Sequence, residues 1–250
     1  MKISDNHNDP DAVDLKTTGG VIVIDKPPTM SSMTAVAIIR RKSGVKAGHA
    51  GTLDPLASGV LVIGVGKATK SLERFMKTRK IYRTIIDLSA FTPTDDREGE
   101  KEIIDVAQPP TLQKIDETLQ ANFSGAFMQT PPNFSAKKIG GQRAYALARK
   151  GEQPKLEPRE VLVHAIASCS YDWPLLEVEV ECRQGFYVRS LARNLGEQLG
   201  TGGHCAAIKR IGVGPFTIDE AQDPDKLPMP LGKGAFMSLE NALERLAEPS

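Results

Sequence analysis

Cysteine is scarce in this sequence, aromatic residues make up only 5% of it, and long apolar runs are missing. The three cysteines, Cys169, Cys182 and Cys205, form no CxxC pair. An odd, scattered set of this kind supports neither a disulfide framework nor a closed zinc site, and it points to a reducing compartment. No apolar run approaches the roughly 20 residues that cross a bilayer. The first twenty residues are polar and carry four aspartates, unlike a secretory signal. Charge of either sign is not in excess: Lys and Arg total 32 against 31 for Asp and Glu, a formal +1. That balance excludes a histone-like protein and an acidic solvating tail, but not a local basic patch. The expectation is a water-soluble, cytoplasmic protein. What is present, 40% hydrophobic and 25% charged residues in a chain of 250, suffices for the core of one large domain.

Residues 1–18 read as a flexible N-terminal arm, because Asp, Asn and Lys dominate without periodicity. Strand-like runs follow at Val21–Ile24, Val60–Val65, 81–90, Val161–Ser168 and Leu175–Cys182. Helices are expected from Ser31-Ser32 to about Lys42, over 111–122, over 141–150, near Tyr187–Leu199 and over Ser238–Ala247. Pro224–Gly234 reads as a Pro/Gly-rich linker, which sets a central domain of 19–222 apart from a linker and short helix at 223–250. Strands and helices alternate without a regular βαβ beat, so the class expected is α+β with a mixed sheet.

Charge is uneven along the chain. Arg40–Arg83 holds eleven Lys or Arg and two acids, a net +9, whereas Asp87–Val106 is net −5. A basic stretch is usually a solvated face, but this one surrounds a lone carboxylate, Asp54. Two glycine-rich decoys can be dismissed. Gly64-Val65-Gly66-Lys67 imitates part of a phosphate loop, yet Leu61 and Ala68 replace the cradle glycine and the metal-binding hydroxyl. Thr69 breaks the dinucleotide fingerprint, which leaves close-packed strand glycines.

The segment Gly48-His49-Ala50-Gly51-Thr52-Leu53-Asp54-Pro55-Leu56-Ala57-Ser58-Gly59 could be a turn in which Asp54 caps a helix begun by Pro55. The whole string, however, resembles the catalytic motif of the TruB family of tRNA pseudouridine synthases. The resemblance runs from about Gly20 to Pro230. Gly20–Pro27 is similar to the first family motif, and Lys80-Ile81-Tyr82-Arg83 places a tyrosine 28 residues after Asp54. Gln129–Pro132, Ser135–Lys138 and Arg143-Ala144-Tyr145 resemble an RNA-gripping insertion around 125–155. Cys182–Ser190 resembles the last catalytic motif, followed by Gly202-Gly203-His204 to Arg210.

The resemblance implies a pseudouridine-synthase fold, α+β, with a mixed and mainly antiparallel sheet flanked by helices and a central RNA-binding cleft. It implies isomerisation of uridine 55 in the TΨC loop of tRNA, by a monomer with no cofactor, metal or protein partner. That reaction breaks a C1′–N1 bond and rejoins the uracil through C5. It needs one carboxylate at the sugar–base junction, and Asp54 is the candidate. Arg189 is implied as the guanidinium that keeps it ionised. Tyr82 is implied as the stacking residue, with a hydroxyl placed for proton transfer. Tyr187 and Ile208 match positions lining the uridine pocket, the latter in place of leucine, a volume-conserving change. His49 matches an RNA contact near the flipped base, and Lys26 with Pro27 shapes the pocket wall. Each also has a plain reading: a surface cation for Arg189, packing for Tyr82 and Ile208, a turn histidine for His49. Thr92-Pro93-Thr94-Asp95-Asp96 follows the family pattern only in part, with Pro93 where an acid is usual, and receives no role.

Bacterial members carry a small RNA-binding domain after the catalytic one. This sequence stops where that domain would begin, so weaker contact with the distal part of tRNA is expected. A ribosomal-RNA synthase would carry Arg-Leu-Asp rather than Thr52-Leu53-Asp54, and a guide-RNA-dependent relative a partner-binding extension. A non-catalytic tRNA-folding module would not need Asp54, Tyr82 and Arg189 together.

Overall fold

The computed structural model describes residues 10–133, 138–139, 142–143 and 156–247. The chain divides into two compact units, one ending at Arg79 and resuming at Arg210, the other formed by Lys80–Lys209.

In the first unit, helix α1 (Pro10–Thr18) precedes strand β1 (Gly20–Lys26). The expected arm is thus helical over its second half. Leu15 anchors it: its side chain is 1% exposed, and its carbonyl lies where a Cβ on Gly66 (φ +56) would sit. Among residues 14–18, the part of α1 whose side chains are described, Leu15 alone is buried, which leaves no periodicity there for sequence to show. Helix α2 (Ser32–Ser43) is capped by Ser31, whose hydroxyl accepts from Thr34 N, and ends at left-handed Gly44. It buries Ala35, Val36 and Ile39. Strands β2 (Ala47–His49) and β3 (Ser58–Val65) pair antiparallel, and β3 pairs with β1 from Gly20↔Val65 to Lys26↔Gly59. Residues 66–71 form a 3-10 helix, so Gly66 opens a helical turn instead of continuing a strand. Helix α3 (Leu72–Met76) then sets Phe75 into a core with Val21, Val23, Val60 and Val62.

The second unit begins with β4 (Lys80–Asp87), the short hairpin β5 (Ala90–Phe91) with β6 (Glu102–Ile103), helix α4 (Leu112–Phe123) and β7 (Gly125–Gln129). Strands β8 (Lys138–Ile139) and β9 (Gln142–Arg143) pair with each other. Residues 142–143 were expected to be helical and are extended; the rest of the expected 141–150 helix, and most of the insertion, lies outside the described residues. Strands β10 (Arg159–Asp172) and β11 (Leu175–Cys182) complete the order β4-β11-β10-β7, paired antiparallel throughout. Helix α5 (Val188–Leu199) buries Leu191, Ala192 and Leu195, and at Gly196 a Cβ would meet Gly202 O at 2.2 Å.

Strand β12 (His204–Val213) leads back to the first unit, where β13 (Phe216–Thr217) pairs with its end. The expected linker is anchored: Leu231 is 2% exposed and its N–H donates to Lys42 O. Strand β14 (Met237–Ser238) pairs with β1, and helix α6 (Leu239–Ala247) buries Ala242. Parallel geometry enters at the isolated bridges Ile24↔Gln222 and Asp96↔Cys205. The class is α+β with mixed, mostly antiparallel pairing. No helix among the described residues is long and apolar enough to cross a membrane.

Candidate active site

Asp54 sits partly exposed on the loop joining β2 to β3. It caps no helix. Its carbonyl accepts from Ala57 N at 3.1 Å, closing a turn, and the chain is already extended at Ser58. Gly51 and Gly59 bracket the loop at φ +98 and +101, a region open to glycine but strained for other residues. A Cβ on Gly59 would lie 2.2 Å from Arg210 O.

Lys26, at the end of β1, is fully buried. Its ammonium donates to Pro27 O at 2.9 Å and Met30 O at 2.7 Å, and reaches Pro55 O at 3.4 Å. Burial lowers its pKa to about 8, opposed by Asp54 and assisted by Arg210. Lys26 is thus tied to backbone carbonyls on both sides of the segment that follows β1, including that of Pro55, the residue after Asp54. His49 on β2 is half-buried, and its Nδ1 is buried with no hydrogen-bond partner among the described residues. Burial first, and then the Arg210 charge, push its pKa down, which holds the imidazole neutral at physiological pH. Arg210, which sequence reasoning passed over, is 1% exposed. It donates from Nε to Val60 O at 2.8 Å and from Nη2 to Gly51 O at 3.1 Å.

Tyr82, Arg189, Tyr187 and Ile208 belong to the second unit. Tyr82 stands partly exposed on β4, opposite Val180. Arg189, in the first turn of α5, is 5% exposed and so is no surface cation. It pairs with Asp96 at 3.3 Å and donates to Thr94 O at 3.1 Å. One helical turn on, Arg193 pairs with Asp95 and donates to Thr130 O at 3.2 Å. Thr92–Asp96, the stretch left without a role, thus supplies both carboxylates of a buried double bridge. Asp95 has φ +59, uncommon for a non-glycine residue, and burial raises its pKa to about 6 against the pull of Arg193 and Arg189. The signal was present in sequence: two consecutive aspartates, and two arginines at helical spacing i, i+4.

Tyr187 is the N-cap residue of α5. The Gln129 carboxamide grips its backbone at both ends, accepting from Tyr187 N at 2.9 Å and donating to Tyr187 O at 3.1 Å. The Arg159 guanidinium lies 4.8 Å from the Tyr187 ring centroid and donates to Gly185 O, a cation–π placement that fixes the ring. Arg159 carries no motif, and Gln129 belongs to the Gln129–Pro132 stretch, which gave no sign of this contact with Tyr187. Ile208, on β12, is 6% exposed.

The basic stretch is more divided than its sum suggests. Arg40, Arg41, Lys46, Lys67, Lys70, Arg74 and Lys77 are exposed. Lys80, however, is 5% exposed, and Arg83 is paired with Glu179 at 2.9 Å and Glu177 at 3.7 Å.

The N-terminal domain of the TruB family of pseudouridylate synthases matches residues 38–188. A tRNA pseudouridine synthase B of Corynebacterium diphtheriae is 44% identical over 223 residues, which cover 86% of this chain and 74% of that protein. A protein of the same name from Thermobifida fusca is 43% identical over 221 residues, covering 83% and 74%. Among solved structures, a crystal structure of a Cbf5-Nop10-Gar1 complex contains a chain with TM-score 0.70 and 27% identity, matched over 93% of this chain and 64% of its own length. A chain in an H/ACA RNP bound to a substrate RNA shares the fold, with TM-score 0.67 and 24% identity.

Proposed function

This chain belongs to the TruB family of pseudouridylate synthases, and from that premise we propose that it isomerises uridine 55 to pseudouridine in the TΨC loop of tRNA. Asp54 is the catalytic carboxylate in this reading, residues 19–222 are the catalytic domain, and the enzyme works as a cytoplasmic monomer. The observation that carries it is the Gly48–Gly59 motif, which places one partly exposed carboxylate on a loop whose ends and flanking peptides are tied down. Isomerisation needs such a group at the sugar–base junction and neither gains nor loses an atom, so one aimed carboxylate with general acid–base support can serve both halves.

The target uridine must leave its stack, at a cost of a few kcal/mol. Stacking on an aromatic ring returns about 1–3 kcal/mol per base, a role that fits Tyr82 and the held ring of Tyr187. Arg189 serves in this reading as a guanidinium held in place by Asp96 and Thr94 O, and Ile208 contributes apolar surface. Lys26 and His49 complete the substrate-binding set, His49 as a neutral imidazole able to donate or accept.

The test is tritium release from a TΨC stem-loop RNA labelled at uridine C5. Asp54→Asn keeps shape and removes charge, so turnover is abolished while RNA affinity, which rests on the surrounding cations, is retained. Turnover within about tenfold of wild type in that variant overturns the assignment.

A further inference from the structure

We propose that Ser32 is a positioning residue for this reaction: its hydroxyl fixes the Leu53 peptide and thereby aims Asp54. The inference rests on the reading of Asp54 as the catalytic carboxylate. The loop that carries Asp54 is neither helix nor strand, so its buried backbone groups need partners from elsewhere. Ser32 Oγ accepts from Leu53 N at 2.8 Å and donates to Leu53 O at 2.8 Å. A hydroxyl has one donor and two acceptor sites, so both bonds hold at once. Ser32 and Leu53 are 3% and 4% exposed, which excludes water as a ready substitute. Helix α2 does not depend on this hydroxyl, because Ser31 already caps it through Thr34 N at 3.0 Å.

The residue after Asp54 is tied to the same segment: Thr29 N and Lys26 Nζ both reach Pro55 O, at 2.7 and 3.4 Å. The peptides on either side of Asp54 are thus held by Lys26–Ser32, while Arg210 closes the loop at Gly51 and Val60. Removing the Ser32 hydroxyl leaves both backbone groups of Leu53 buried and unpaired, and the loop must shift to recover them. A displacement near 1 Å at a reacting group can cost about 100-fold in rate.

Ser31 and Ser32 form a matched pair for the test. Single-turnover tritium release is measured with the full chain and saturating TΨC stem-loop RNA, alongside RNA Kd and Tm. Ser32→Ala is expected to slow the step at least about tenfold with Kd within about twofold, and Ser32→Thr, which keeps the hydroxyl, to recover most of the rate. Ser31→Ala is expected to lower Tm through the lost cap yet keep the rate within about twofold. Equal slowing by Ser31→Ala and Ser32→Ala, or a Ser32→Ala variant that loses affinity and keeps its saturated rate, overturns the inference alone. An active Asp54→Asn overturns the reading of Asp54 and this inference with it.

Discussion

Arg210, in the unit that carries Asp54, and Arg189, in the unit that carries Tyr82, are 1% and 5% exposed, but their buried charges are accommodated in different ways. Arg210 is held by the carbonyls of Val60 and Gly51, and Lys26 nearby is likewise held by carbonyls. Carbonyl dipoles solvate a charge without cancelling it, so the surroundings stay positive. His49 registers that field, its pKa lowered by burial and then by Arg210, whereas Lys26 is lowered by burial first, with Asp54 opposing more strongly than Arg210 assists. Arg189 and Arg193 are instead matched to Asp96 and Asp95. Charge there is balanced pair by pair, and close packing makes the second carboxylate reluctant to ionise. One arrangement leaves the guanidinium charge uncancelled by a carboxylate; the other holds a guanidinium still with one.

The sharpest way to break this contrast is to remove one partner on each side. Asp96→Ala takes a carboxylate from a buried guanidinium and is expected to cost about 3–5 kcal/mol in urea unfolding. Arg210→Met removes the cation and leaves two carbonyls short of a donor, which is expected to cost about 1–3 kcal/mol. Equal losses would mean that the carbonyl cage and the ion pair are energetically the same device.

Stability as a function of pH separates the same two regions. Asp95 titrates at about 6 when folded, above its ordinary value of 3.8. Between those values the native state holds more protons than the unfolded one. The contribution of Asp95 is therefore full below about pH 4 and lost as pH rises through 6, at most about 3 kcal/mol. Lys26 titrates at about 8 when folded against an ordinary 10.5. There the unfolded state holds more protons, so stability rises from about pH 8 to 10.5, again by at most about 3 kcal/mol. Urea midpoints across pH should show Asp95→Asn flattening the acid limb and Lys26→Met the alkaline one. A variant that leaves its limb unchanged removes that group from the account.

Sequence periodicity located most of the fold because the elements follow simple local rules. Alternating or continuous apolar runs became β1, β3 and β11, and Ser31 capped α2 as its chemistry requires. Helix α1 stayed hidden because, among its described side chains, Leu15 alone is buried. Asp54, Tyr82 and Arg189 are proposed for the chemistry on motif spacing, whereas the contacts that hold the backbone and side chains around each of them are not readable there. Ser32, Arg210, Gln129 and Asp96 act through backbone groups or through partners 21 to 159 positions away. Such pairings depend on topology, which no local window contains. Charge summation failed at Lys80 for a related reason, since burial on β4 is decided by the sheet and not by its neighbours in sequence.

The smallest expected effect on stability comes from the exposed cations, where the two units differ again. Lys46, Lys67 and Lys70 are exposed in the unit that carries Asp54. Arg83 in the other unit is half exposed but engaged with Glu177 and Glu179. Replacing the three lysines by Ala is expected to change unfolding free energy by less than about 0.5 kcal/mol, as at ordinary surface positions. Each one that meets a phosphate contributes near 0.7–0.9 to the slope of log K against log salt, so the triple variant should flatten that slope by up to about 2–3 units. The catalytic rate at saturating RNA should hold, because these charges supply uniform binding and not transition-state contacts. Arg83→Ala should flatten the slope by less than about one unit, since two carboxylates already compete for its charge. An unchanged slope in the triple variant would make this face merely solvated, and a larger change from Arg83 alone would move the RNA footprint to the other unit.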